Sequence, residues 1–137
     1  MRVFIDTAPF IYLIENHPTF AEKVTRFFAK KAAAGHEIMT SVVTIMEFGV
    51  KPERDGRHEV IRAFENMLDR LKINIINIDE SVAKRAYVLR ANYPALKGMD
   101  SLQLAAAIEE NCKEFFTNDR KLKQVSEINI IIVEDLV

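Results

Sequence analysis

Cysteine is nearly absent: Cys112 is the only one, so no internal disulfide can form and nothing calls for an oxidising compartment. Long apolar runs are missing too. No uncharged stretch reaches the roughly 18 residues of a membrane span, and the apolar segment from Val3 to Ile14 is interrupted by Asp6 with no small-residue cleavage site after it. Export is not expected, and a cytoplasmic location is. Nor is there an excess of positive charge. The 19 Lys and Arg against 20 Asp and Glu leave a formal charge of −1, whereas phosphate-binding proteins usually carry a basic surplus. Distribution matters more than the sum, because acids committed to a metal site would leave a basic remainder. His17, His36 and His58 lack zinc-ligand spacing with one another or with Cys112 and read as surface residues.

What is present fits one compact domain over residues 1–137, large enough for one core and one site. Hydrophobic residues at 49% and charged residues at 28% are ordinary for a globular chain. Short β-branched runs alternate with amphipathic stretches. Arg2 to Asp6 reads as a strand, followed by helical patterns around Ala8 to Glu15 and Phe20 to Ala34. In the second of these, Phe20, Val24, Phe27 and Phe28 form one stripe that stops at Gly35. Glu37 to Thr40 reads as a strand, Ser41 as the N-cap of a helix reaching about Val50, and Lys51 to Arg57 as a loop. Val60, Phe64, Met67, Leu68 and Leu71 mark a fourth helix and Ile73 to Ile78 a strand, and Val82, Ala86, Leu89 and Tyr93 mark a fifth helix. A sixth begins near Asp100 with Ser101, Leu104, Ala105, Ile108 and Cys112 on one side. Glu114 to Thr117 and Asn129 to Val133 are the last strands, separated by a short helical turn at Asp119 to Gln124. Such alternation predicts a parallel sheet covered on both faces, with ligands bound beyond the carboxyl ends of its strands.

Acidic residues mark those ends. Asp6 closes the first strand, Asp119 follows the fourth, Asp100 opens a helix, and Glu47 lies inside one between Met46 and Phe48. Aspartate at a strand-to-helix junction is a favoured N-cap, which accounts for Asp6, Asp100 or Asp119 taken singly. Glu47 resists that account. A carboxylate in apolar company must be paired, bound to a metal or turned outward, and Lys51 at i+4 is its candidate partner. Should the four acids converge with no matching cations, their repulsion must be relieved by protonation or a bound cation. All-oxygen ligands suit Mg²⁺ or Mn²⁺, and a pair of such ions can hydrolyse a phosphodiester.

The segments FIDTAPFIYLIE, TSVVTIMEFGVKP, GMDSLQLAAA and FFTNDRKL resemble, in order and spacing, the blocks of the PIN-domain family, closest to the toxin nucleases of bacterial and archaeal toxin-antitoxin pairs. The resemblance covers nearly the whole chain. It implies a Rossmann-like parallel sheet of strand order 3-2-1-4-5 with helices on both faces, and Asp6 and Asp119 meeting at the switch point. It further implies Asp6, Glu47, Asp100 and Asp119 as catalytic ligands of Mg²⁺ or Mn²⁺, supported by Thr7, Ser101, Thr117 and Asn118. The expected activity is endoribonuclease cleavage leaving 5′-phosphate and 3′-hydroxyl ends. A cognate antitoxin and homodimerisation are implied with it.

Basic residues beside this constellation, Lys51, Arg54 and Arg57 in the loop and Arg120, Lys121 and Lys123 after Asp119, could hold RNA phosphates or belong to a solvated surface. Apolar surface near Phe10, Ile14 and Phe48 is a candidate groove for an antitoxin segment, the alternative being core. Tyr12 and the phenylalanines otherwise read as core. A PIN-type ribosomal-RNA processing nuclease is the nearest alternative, less suited to a chain holding one catalytic domain. A phosphoacceptor signalling domain would use Asp79 as acceptor and Thr117 as switch residue. It is opposed by the lack of an acidic pair at the end of strand one and of a lysine after the last strand. A binding-only module is the third possibility, opposed by the intact acidic positions.

Overall fold

The computed structural model describes residues 1–137. Its strands are β1 (Arg2–Ile5), β2 (Glu37–Ser41), β3 (Asn74–Ile76), β4 (Glu114–Thr117) and β5 (Asn129–Ile132). Its helices are α1 (Thr7–Ile14), α2 (Ala21–Ala33), α3 (Val42–Arg54), α4 (His58–Arg70), α5 (Glu80–Asn92) and α6 (Gly98–Glu109), with short 3₁₀ turns at Arg120–Gln124 and Val133–Asp135. All strand pairs are parallel, in the order β3-β2-β1-β4-β5. No helix is long and apolar enough to cross a membrane.

Period-two alternation along β1 divides the core. Phe4 faces one side, where α5, α6 and Phe115 pack, while Val3 and Ile5 face the other, with α1 to α4 and Phe116. The rings follow suit, Phe4 stacking on Phe115 and Phe27 on Phe116. Each central strand is therefore buried on both faces, which is why these strands read as continuous hydrophobic runs.

Three boundaries differ from expectation. The third helix does not stop at Val50 but continues through Pro52 to Arg54. Its end is a Schellman closure, with Arg57 N–H donating to Pro52 O at 2.8 Å, Gly56 N–H to Glu53 O at 3.2 Å, and Gly56 at φ 66°. The glycine ends the helix, and the proline only forgoes one hydrogen bond within it. The strand expected over Ile73 to Ile78 is confined to Asn74–Ile76. Its sole partner, β2, is used up when Ser41 pairs with Ile76 and α3 begins. The sixth helix starts at Gly98, so Asp100 lies in its first turn, and it ends at Glu109, short of Cys112, with Asn111 at φ 58° turning the chain just beyond it.

Candidate metal centre

The carboxyl ends of β1 and β4 lie side by side. Ile5 pairs with Phe116, and Asp6 N–H donates to Phe116 O at 2.9 Å. Asp6 leaves β1 as the N-cap of α1, its Oδ1 accepting from Thr7 N–H at 2.8 Å, while Oδ2 accepts from Thr117 Oγ1 at 2.8 Å. Capping and site geometry are thus compatible at this residue. Asp119 behaves similarly, capping the following 3₁₀ turn through Lys121 N–H at 3.0 Å. Thr117 ties the two together by also accepting from Asp119 N–H at 3.1 Å.

Asp100 is not a cap. Lys97 holds that position, and the Asp100 carboxylate accepts no hydrogen bond from the chain. Glu47 makes no ion pair with Lys51, and its Oε1 accepts from Thr7 Oγ1 at 2.6 Å. The contrast with an acid elsewhere is direct: Glu114, also largely buried, is met by Lys31 at 2.6 Å, whereas none of the four site acids has an ion-pair partner.

Electrostatics record that imbalance. Burial, followed by the charges of Asp100 and Glu47, pushes the Asp6 carboxyl from 3.8 up to about 6 against the hydrogen bonds from Thr117 and Thr7. Asp100 is raised by burial, Asp119 and Glu47, opposed only by Lys97. The acids therefore feel one another as a cluster. No three of them converge closely enough to form a finished ligand cage for a single ion. The donor set nonetheless fits Mg²⁺ or Mn²⁺: it is all hard oxygen, it is uncompensated, and Mg²⁺ keeps several waters and needs only one or two direct carboxylates.

The supporting residues divide. Thr7 and Thr117 touch the acids, Thr7 at Glu47 and Thr117 at Asp6. Ser101 does not, because its hydroxyl turns back on its own helix to donate to Gly98 O at 2.6 Å. Asn118 instead joins Tyr12 Oη, at 3.0 Å, to the backbone N–H of Glu134, also at 3.0 Å. The polar residue that does reach Asp6 from α6 is Gln103, its Nε2 3.4 Å from Oδ1. The sequence offered a signal for it. Gln103 stands one turn after Asp100, on the same face, in a run otherwise of leucine and alanine.

Beside Glu47 opens a cleft of about 660 Å³ whose walls include Ile11, Ile14, Lys51 and Arg57. Of the three residues suggested for an apolar groove, Ile14 lines this cleft and Phe48, 5% exposed, contributes to its floor, whereas Phe10, 0% exposed, is core and does not reach it. Lys51 and Arg54 belong to α3, leaving Asp55 to Arg57 as the connecting turn. Arg120 is paired with Asp135 on the surface, with contacts of 2.7 and 3.2 Å, whereas Lys121 and Lys123 are exposed and unpaired.

Two histidines are not simple surface residues. His17 stacks on Phe20, and its Nδ1 accepts the N–H groups of Thr19 and Phe20, while His36 buries its Nδ1. His58 is exposed beside Glu53. Asp79, the phosphoacceptor candidate, caps α5 through Val82 N–H and follows edge strand β3, two strands from β1.

Comparison with known proteins agrees with this architecture. No curated protein matches the chain in sequence. Among solved structures, VapBC2 from Rickettsia felis, bound to a DNA fragment from its promoter, superposes with a TM-score of 0.78 at 20% identity, covering 96% of this chain and 98% of that one. FitAcB from Neisseria gonorrhoeae gives 0.73 at 15%, covering 98% and 99%. VapC20 from Mycobacterium tuberculosis, a toxin cleaving the sarcin-ricin loop, gives 0.69 at 16%, covering 93% and 98%. Residues 3–128 match the profile of the PIN domain. With the strand order, the acidic switch point and that match in agreement, the chain belongs to the PIN-domain family.

Proposed function

We propose that this protein is a metal-dependent endoribonuclease, the toxin half of a toxin-antitoxin pair, with Asp6, Glu47, Asp100 and Asp119 holding Mg²⁺ or Mn²⁺. The observation that carries the reading is that Asp6 and Asp119, at the carboxyl ends of β1 and β4, and Glu47 of α3 and Asp100 of α6, whose charges act on them, have no ion-pair partner. Bound there, a divalent ion supplies a water of lowered pKa and neutralises charge at the phosphate. The chain's own residues do the rest. Thr117 and Thr7 N–H hold both oxygens of Asp6, Thr7 Oγ1 holds Glu47, and Asp100 keeps its lone pairs free. Water oxygen adds to phosphorus as the bond to the 3′ oxygen breaks, and that oxygen takes up a proton. The products are a 5′-phosphate and a 3′-hydroxyl.

The toxin reading is supported by the superposable toxin-antitoxin proteins and by the description of the M. tuberculosis neighbour as an RNA-cleaving toxin. An antitoxin can silence an uncompensated acidic crevice by inserting one arginine or lysine, with apolar side chains entering the cleft beside Ile14. Homodimerisation accompanies this reading. The test is to incubate purified protein with total RNA and Mg²⁺ and ligate adaptors that require 5′-phosphates. Discrete 5′-phosphate ends are expected, as is growth arrest on expression that the neighbouring gene product relieves. Fragments ending in 2′,3′-cyclic phosphate would point to metal-free chemistry. Absence of growth arrest would remove the toxin assignment.

Lys51, Arg54 and Arg57 lie where α3 leaves Glu47, and they are proposed to hold the substrate's phosphates. Arg57 is also paired with Glu59 at 3.3 Å, but on the surface, where such pairs are weak. Replacing all three by Gln should weaken RNA binding and reduce the slope of log K against log salt by about 1 to 2, given roughly 0.7 per single-strand phosphate contact. An unchanged slope in a salt titration would return these residues to the solvated surface.

A further inference from the structure

The core contains seven buried polar residues, and six of them, Thr7, Thr40, Ser41, Thr44, Gln103 and Thr117, belong to one hydrogen-bonded cluster beneath the acids. Only Ser101 stands apart. Gln103 is the member that an apolar residue could most simply replace, since its helical neighbours Leu104 to Ala107 are 0% exposed and it is itself 1% exposed. An amide is costly to bury there unless its hydrogen bonds are made.

They are made in one orientation. Ser41 Oγ accepts from Val43 N–H at 3.1 Å, which leaves its proton for Gln103 Oε1. The two hydrogens of Nε2 are then directed at Thr44 Oγ1, 2.7 Å away, and at Asp6 Oδ1, 3.4 Å away. Turning the amide over would set its oxygen against a carboxylate. Thr44 Oγ1 lies 3.3 Å from Thr7 Oγ1, which donates to Glu47 at 2.6 Å, and Thr7 is joined covalently to Asp6. Thr40 commits its proton to Ile5 O at 2.7 Å, so Thr44 gives its own to Thr40 and meets Thr7 only in packing contact. Asp6, Thr7, Thr44 and Gln103 thus close a ring of contacts that spans α1, α3 and α6, hydrogen-bonded through Gln103 and packed at Thr7 and Thr44, with Glu47 attached to it.

We propose that Gln103 is a positioning residue which, by closing this ring, fixes Asp6 and Glu47 in the relation that lets them share a divalent ion. The inference rests on the metal reading given under Proposed function. Gln103 does not touch the ion or the RNA; it acts through Asp6 and Thr44. Because it stands one turn after Asp100 on α6, the same contact also sets the distance of that helix from β1.

Mn²⁺ binding to the RNA-free protein, followed by loss of the free-ion paramagnetic resonance signal, is the direct test. Gln103→Met keeps length and packing but removes both polar atoms, and Thr44→Val opens the ring at its next link. Each is expected to weaken Mn²⁺ binding about 10- to 100-fold, the usual effect of removing a group that orients a metal's ligands. The double variant should be no weaker than the worse single one, because both break the same ring. KM for RNA should stay unchanged. A merely structural role would lower the melting midpoint while leaving Mn²⁺ affinity, measured well below that midpoint, at the wild-type value, and this outcome overturns the proposal. Should Gln103→Met not fold, wild-type affinity in Thr44→Val overturns it equally. Wild-type protein that binds no Mn²⁺ overturns the metal reading itself, a failure told apart by the silence of the parent.

Discussion

Asp6→Asn and Asp100→Asn should each lower RNA cleavage by more than about 100-fold, since groups merely supporting a metal's ligands already cost 10- to 100-fold, and neither should unfold the protein. For Asp6 the amide oxygen can still accept from Thr7 N–H and cap α1. For Asp100 no hydrogen bond is lost, and its place in the first turn of α6 is worth only about 0.3 to 1 kcal/mol through the helix dipole. Stability should in fact hold or rise. Asp6 is a buried acid whose charged form is disfavoured by its surroundings, so a neutral isostere removes a destabilising charge from the metal-free fold. Loss of activity with an unchanged or higher melting midpoint is the expected pair of results. A lower midpoint with retained specific activity would show instead that capping is all Asp6 does.

Excess EDTA should abolish cleavage, and Mg²⁺ or Mn²⁺ should restore it. Calorimetry gives the same test without RNA. A carboxyl raised to about 6 from 3.8 binds its proton more tightly folded than unfolded. The metal-free fold therefore gains stability as pH falls through about 6 towards 3.8 and loses it as pH rises through that window. Asp100 adds in the same direction. At pH 7 a divalent ion replaces the missing proton. At 100 times its Kd it should raise the melting midpoint by about 5 to 10 °C, and at pH 5, where protons compete, by much less. Cleavage that persists in EDTA, or an equal shift at both pH values, would contradict a site built on these carboxylates.

Much of this architecture was legible because the elements that carry it are periodic. The α2 stripe of Phe20, Val24, Phe27 and Phe28 could lie on only one face, and the unbroken β4 and β5 runs could belong only to strands covered on both sides. Asp6 and Asp119 are legible as strand-end residues and Asp100 and Glu47 as helical acids, but the sheet order comes from family resemblance, since parallel pairing across 111 residues, as between Ile5 and Phe116, leaves no local trace. The differences are local in origin. The apolar pattern fades after Val50, yet it is the left-handed turn at Gly56 that decides the end of α3. Ser101 is expected beside the acids, and in the structure its hydroxyl donates to Gly98 O on its own helix, as a serine in a first helical turn can do. Gln103, Thr40 and Thr44 were passed over because polar residues within helical or strand patterns usually face water. Only the packing shows that these face one another.

The position of the first strand bears on synthesis. β1 precedes the other strands of the sheet in the chain, yet it lies at the centre between β2 and β4, and the tip of β4 follows it by more than a hundred residues. Strand pairings this distant in sequence form late, because the intervening chain must be ordered before they can close. On the ribosome, Asp6 emerges early but cannot meet Thr117 and Asp119 until β4 has followed it out. A nascent polypeptide that has reached only α6 therefore lacks the β4 half of the acidic set, and the four carboxylates come together only once β4 has docked beside β1.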